Sequence, residues 1–197
     1  MKKLTLATLS TLALTLASSS VFATDGTITI NGVITDGTCT LQGDDGKSTG
    51  LKDITINLPS APKSIFEPAY LNPMQVIFSM QLTNAAGTGA CDAATTKAFK
   101  GIHLSPISPD HLDVEDKTLL VNQATGASST NPLFVQFLTR SGILVDFSAP
   151  WGTQATSQVF TIAGNTYVSY RTAFASKTGI VDAQNVQAKI NYTLHYN

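Results

Sequence analysis

The chain has 197 residues, with 12 Lys and Arg against 13 Asp and Glu, and only 13% of it is charged. That near-neutral balance, with no basic block, argues against a nucleic-acid partner. Two cysteines without ligand partners nearby argue against a metal centre.

Residues 1–23 read as an export signal. Lys2 and Lys3 supply the charged start, Leu4 to Leu16 an apolar run too short to span a bilayer comfortably, and Val21-Phe22-Ala23 the small residues of a cleavage site. Cleavage before Thr24 leaves roughly 170 residues, the size of one domain with a real core. Cys39 and Cys91 both lie in the exported part, and an oxidising compartment makes a disulfide the expected state. Closing a loop of about fifty residues contributes roughly 4 kcal/mol in the chain-entropy account.

The mature chain opens with Thr24-Asp25-Gly26-Thr27-Ile28-Thr29-Ile30-Asn31-Gly32-Val33-Ile34-Thr35. Asn31-Gly32 is a favoured tight-turn dipeptide, which predicts a small hairpin. Ile28, Ile30 and Ile34 also share one parity through Gly32, which predicts one continuous strand. The residues alone leave both readings open.

Leu41 to Gly50 reads as a polar turn. Ile54, Ile56 and Leu58 alternate and stop at Pro59, and Ser60 to Pro73 is Pro-interrupted and irregular. Strands are predicted at Val76–Leu82, Ile102–Ile107, Leu119–Val121, Phe134–Leu138, Gly142–Phe147, Val159–Ile162 and Tyr167–Phe174. Turns are expected at Arg140-Ser141-Gly142 and Gly164-Asn165. From Asn185 to Asn197 the alternation is strict. Val186, Ala188, Ile190, Tyr192, Leu194 and Tyr196 fall on one face, and Gln187, Lys189, Asn191, Thr193, His195 and Asn197 on the other. No helical period is sustained and no repeat recurs. Many short strands with turn signals predict one all-β sandwich.

The chemical motifs are weak. Gly43-Asp44-Asp45-Gly46-Lys47-Ser48 resembles the end of a phosphate loop but has Leu41 where the first glycine belongs. Asp110, Asp113, Glu115 and Asp116 lack calcium-loop spacing. His103, His111 and His195 lack zinc spacing. No catalytic set is expected, and Trp151 reads as a packing residue or loop anchor rather than a sugar platform.

Taken in order, the export signal, the alternating segment T-I-T-I-N-G-V-I-T-D-G-T-C-T-L, the second cysteine after an early strand, Tyr170-Arg171-Thr172-Ala173-Phe174, and the closing A-K-I-N-Y-T-L-H-Y-N resemble a pilin of the chaperone–usher class, similar to type 1 fimbrial subunits. The resemblance covers essentially the whole mature chain. It implies an incomplete immunoglobulin-like β-sandwich lacking its last strand, spanning 37–197, with an N-terminal donor-strand extension at 24–36. It implies a Cys39–Cys91 disulfide, and it favours the continuous strand over the hairpin. Ile28, Ile30, Gly32 and Ile34 of one chain would enter the groove of the next, beside Val186, Ala188, Ile190, Tyr192, Leu194 and Tyr196. The same strand, with Asn197, would dock a periplasmic chaperone before an outer-membrane usher exchanges partners.

The implied function is that of a non-enzymatic structural subunit of an adhesive surface fimbria, without cofactor or metal, exported through the periplasm and polymerising head-to-tail with neighbouring pilin subunits. A major shaft subunit is preferred to a minor adaptor or tip pilin. The rival class is a self-complete secreted sandwich that binds sugar or protein. Gln184 stands where the family carries glycine, Gly26 where an apolar residue would begin exchange, and the Ser60–Pro73 loop is long for a minimal subunit.

Overall fold

The structure is a computed structural model that describes residue 29, residues 39–66 and residues 74–197. Its elements in chain order are β1 (Thr40–Gly43), β2 (Ser48–Thr49), β3 (Thr55–Ile56), β4 (Val76–Thr83), α1 (Ala93–Ala98), β5 (Phe99–Pro106), β6 (Leu120–Val121), β7 (Phe134–Thr139), β8 (Val159–Ile162), β9 (Asn165–Ala175) and β10 (Ile190–Tyr196). Single 3-10 turns occupy Lys63–Ile65 and Pro109–His111. The fold is all-β in class, as its pattern predicts, with one short helix, and among the described residues every strand pair is antiparallel.

The larger sheet runs β1-β4-β9-β7-β6, with β8 also on β9. The length of β9, 11 residues, lets one of its edges serve two partners. Asn165 to Val168 pair with β8, and Tyr170 to Ala175 with β7. The β8–β9 hairpin turns at Ala163-Gly164, both with positive φ (49° and 82°), the backbone that matches strand twist in a two-residue loop.

Alternation places the core. Phe78, Met80 and Leu82 of β4 point inward opposite Tyr170, Val168 and Thr166 of β9. Val135 and Phe137 of β7 extend the same layer, and β5 contributes Ile102 and Leu104. Phe78 meets Phe137 edge-on at 5.7 Å and Tyr170 stacked at 6.5 Å, geometries that aromatic quadrupoles favour. Tyr170 is fully buried, and its hydroxyl accepts from Ser157 N–H at 3.2 Å. A smaller cluster of Leu119, Phe134 and Ala175 covers the far face where β7 meets β9.

Three departures from the sequence reading have physical causes. The segment 41–50 is not merely a turn: Thr40–Gly43 pairs with β4, and Leu41 is fully buried. The ladder continues past Gly43 through side chains. Asp45 accepts from Ser79 N–H at 2.7 Å and from Ser48 N–H at 2.8 Å, while Ser48 Oγ donates to the Ser79 carbonyl at 2.6 Å. Polar residues thus do the work of a strand, which hydrophobic alternation cannot register. Second, Gly142 to Phe147 forms only a bridge at Leu144, opposite Leu138, rather than a full strand. Third, the short α1 escapes the period test because six residues are under two turns. Asp92 caps it, accepting from Thr95 N–H at 2.9 Å.

Candidate functional site

β10 pairs with β5 along one edge, with Tyr192 opposite Leu104 and Leu194 opposite Ile102. Among the described residues, no strand pairs with its other edge. Its inward row, Ile190, Tyr192, Leu194 and Tyr196, packs on the core but is only half-buried. The inward residues of β4 and β9 are sealed by comparison. A half-buried apolar row on an open strand edge is what a sheet shows where another strand can add.

The predicted strand over 185–197 is shorter, because its partner ends at Pro106, opposite Ile190. Proline has no N–H to give the ladder. Residues 185–189 are held from another quarter. Asn122 Nδ2 donates to the Asn185 carbonyl at 2.7 Å, Gln187 N–H donates to Asn122 Oδ1 at 2.9 Å, and Gln123 N–H donates to the Gln187 carbonyl at 2.7 Å. The side chains still alternate, with Val186 and Ala188 half-buried and Gln187 and Lys189 exposed. Gln184, where the resemblance leads one to expect glycine, is a clamp. It accepts from Asn122 Nδ2 at 3.0 Å and Ser128 N–H at 3.2 Å, and donates to the Asn131 carbonyl at 3.2 Å.

A second half-buried apolar set, Ile54, Ile56 and Leu58, packs on the same core. Tyr192 shows that this segment faces β10, since its hydroxyl donates to the Lys52 carbonyl at 2.8 Å. Burial raises the Tyr192 pKa, so the phenol stays a donor at neutral pH. Lys52 is itself fixed: its φ is 65°, and its N–H donates to the Leu41 carbonyl at 3.0 Å. β10 and the segment after Lys52 therefore flank one strip of half-buried core.

The cysteines are joined, Cys39 to Cys91, with Cα atoms 5.5 Å apart. The bond ties the residue before β1 to the residue before the Asp92 cap of α1. Asn197 N–H donates to the Ala98 carbonyl at 2.9 Å, and Asn197 borders an open depression of about 280 Å³ with Lys97 and Lys100. Ile28, Ile30, Gly32 and Ile34 lie outside the described residues, as do the signal segment and Gly26.

On the opposite face of the β5–β10 pair, Trp151 stacks flat on His195, with ring centroids 4.0 Å apart and planes 6° apart. Gly101, the ladder partner of His195, lies beneath the indole, where a Cβ would make ordinary contact at 3.7 Å, and its φ of 137° is the backbone that favours glycine. His103 sits edge-on to His195 at 6.0 Å, and its Nε2 lies 2.9 Å from the Ala149 carbonyl. Burial, then the neighbouring His103, pushes the His195 ring below the ordinary imidazole value. Trp151 is thus a loop anchor with one face covered. The other weighed motifs are local scaffolding. Asp113 is bridged by Lys177 at 2.8 Å, and Glu115 by the same ammonium at 2.9 Å. Among the described residues, the one His/Cys/Asp/Glu group close enough to share an ion is Cys39, Cys91 and Asp92, whose sulfurs are already bonded to each other.

Sequence reasoning missed Gln154. This buried side chain accepts from Leu104 N–H at 2.8 Å and donates to the Leu104 carbonyl at 2.8 Å, closing the edge of β5 away from β10. No local pattern marks a glutamine for this role.

Comparison with known proteins gives a consistent picture. No protein-family model matches the chain. It is similar to the major fimbrial subunit SMF-1 of Stenotrophomonas maltophilia (strain K279a), at 26% identity over 182 residues, covering 89% of this chain and 94% of that protein. Among solved structures it resembles the P pilus rod subunit PapA, with TM-score 0.55 and 17% identity, over 87% of this chain and 100% of that one. It also resembles a subunit of a chaperone–usher pilus solved to explain rod uncoiling, with TM-score 0.51 and 15% identity, over 88% of this chain and 96% of that one. The structural likenesses establish a pilin fold.

Proposed function

We propose that this chain, a pilin of the chaperone–usher family by fold and by sequence kinship, is a structural subunit of a surface fimbria that polymerises by strand addition. The observation that carries the reading is β10, with an open edge among the described residues and an inward row that is only half-buried. On this reading the sandwich lacks a strand, and residues 24–36 of a neighbouring copy supply it. Each copy then offers one strand and one strip, a head-to-tail contact that builds an open filament.

The energetics favour it. Burying Ile28, Ile30 and Ile34 contributes roughly 5–9 kcal/mol before ordering costs. The added backbone ladder satisfies the β10 edge. Until that happens the same edge invites aggregation, so transit through the periplasm calls for a chaperone that covers β10 near Asn197, and an usher that exchanges it. The kinship to a major fimbrial subunit favours a shaft role over an adaptor. The role is structural, and no enzymatic activity is proposed.

The test is a gel. The mature protein, expressed with and without residues 24–36, is run unheated in SDS. Ladders from the full chain that vanish on truncation support strand addition. Stable monomers in both cases, secreted without a chaperone, overturn it in favour of a self-complete binding module.

A further inference from the structure

We propose that Asp92 guards the Cys39–Cys91 bond against small thiols: its carboxylate is set against both sulfurs, where it repels the negative charge of an attacking or departing thiolate. Asp92 divides the work between its two oxygens. Oδ1 caps α1, accepting from Thr95 N–H at 2.9 Å. Oδ2 lies 3.8 Å from Cys39 Sγ and 3.7 Å from Cys91 Sγ. A carboxylate is rigid and planar, so the bond that caps the helix also fixes where the second oxygen points. Hydrogen bonds from the Thr95 side chain and N–H hold the Asp92 carboxyl below its ordinary value, which leaves it charged at neutral pH. Among the described residues the ion pairs are those of Lys177, so no cation neutralises this charge. The Tyr196 phenol, raised first by burial and then by Asp92, is neutral there as well.

Burial decides which sulfur an external thiol reaches. Cys91 is 7% exposed, whereas Cys39 is only half-buried. A thiolate of the reductant therefore attacks Cys39 Sγ, the bond to Cys91 breaks, and its electron pair leaves on Cys91 Sγ. A second thiolate then attacks the reductant's sulfur in the mixed disulfide, and Cys39 leaves with that pair. Both cysteines take up protons, and two thiols of the reductant have become one disulfide. Asp92 opposes the first step twice. The incoming charge approaches a sulfur that already faces Oδ2, and the leaving charge grows on the other sulfur that faces it. The same repulsion raises the pKa of the departing Cys91 thiol, and a more basic thiolate leaves more slowly.

The rate of reduction of the mature chain under native conditions, read by alkylating the freed thiols and weighing the product, tests the guard. Asp92→Asn keeps a cap as good as aspartate and discards the charge. It should be reduced by mercaptopropionate about fivefold faster than the parent, the factor that two charges about 4 Å apart impose even in the dielectric of water. The gain should be smaller with cysteamine, whose ammonium offsets its thiolate, and should shrink in about 1 M salt. Asp92→Ser, a second neutral cap, should behave as Asp92→Asn does, which covers the case in which one variant folds poorly. Equal rates for parent and variants show a cap and nothing more, and overturn the proposal. A gain of the same size with both thiols and at both salt concentrations also overturns it, because a merely looser fold does not sense the charge of the reductant. So does a parent rate independent of thiol concentration, which means that the bond is reached only after unfolding.

Discussion

Gln154 and Leu104, 50 residues apart in sequence, exchange two hydrogen bonds of 2.8 Å each, and the glutamine amide thereby stands in for a neighbouring strand on β5. The same amide nitrogen reaches the Asp146 carbonyl at 2.8 Å. The β5–β10 pair is therefore sealed on the β5 side by one side chain and, among the described residues, open on the β10 side. Gln154→Leu keeps the volume but strands the Leu104 N–H and carbonyl in a buried site. It should lower unfolding stability by roughly 2–4 kcal/mol, read as a fall in urea midpoint at unchanged slope.

The disulfide should matter to a similar degree. Cys39 and Cys91 close a loop with a sequence separation of 52. Reduction, or Cys39→Ser with Cys91→Ser, should remove roughly 4 kcal/mol in the chain-entropy account. A thermal melt with and without reductant checks it, and a shift within error would contradict it.

Acidification should weaken the fold through His195. Burial first, and then His103, holds its pKa below the ordinary imidazole value. The unfolded chain therefore binds this proton more tightly than the folded chain. Stability is full above the unfolded value and falls as pH drops through the window beneath it. His195→Gln should flatten the dependence of the urea midpoint between about pH 7.5 and about pH 5. The chain has 1 Trp, and it stacks on this ring, so its fluorescence should titrate in the parent and not in the variant.

Asp45 should act lower on the pH scale and from a different cause. Burial opposes its charge, but hydrogen bonds from the Ser48 backbone and side chain, Ser79 and Lys47 outweigh that and hold the carboxyl below its ordinary value. A depressed carboxylate contributes stability above the unfolded pKa and loses it as pH falls through the folded one. Asp45→Ala should cost about 1–2 kcal/mol at neutral pH and less in strong acid, where the parent carboxylate is protonated. Equal cost at both extremes would show that Asp45 acts by shape alone.

Much of this architecture was legible because apolar side chains alternate. β4, β7, β9 and the inward row of β10 announce themselves that way, and Cys39 and Cys91 pair as the sequence leads one to expect. What was hidden is carried by polar atoms. Asp45 and Ser48 extend the β1 ladder, Gln154 edges β5, and Asn122 holds residues 185–189. Each joins partners far apart in sequence, where local pattern has no purchase. The clasp from Tyr192 to Lys52 is of the same kind, because alternation placed the ring on the inner face but could not say where its oxygen would end.

The disulfide also governs how the molecule bears load. Tension entering from the N-terminal side reaches Cys39 first. Without the bond it would peel β1 from β4 one ladder rung at a time, the weakest way to load a sheet of hydrogen bonds. The sulfur bridge diverts the pull to Cys91, and so through α1 to β5, which is zipped to β10 along its whole length. Force then bypasses the β1–β4 ladder along covalent bonds and reaches the β5–β10 pair at the end where Phe99 faces Tyr196. That end, also held by the Asn197 N–H on the Ala98 carbonyl, is where the smaller sheet takes the load.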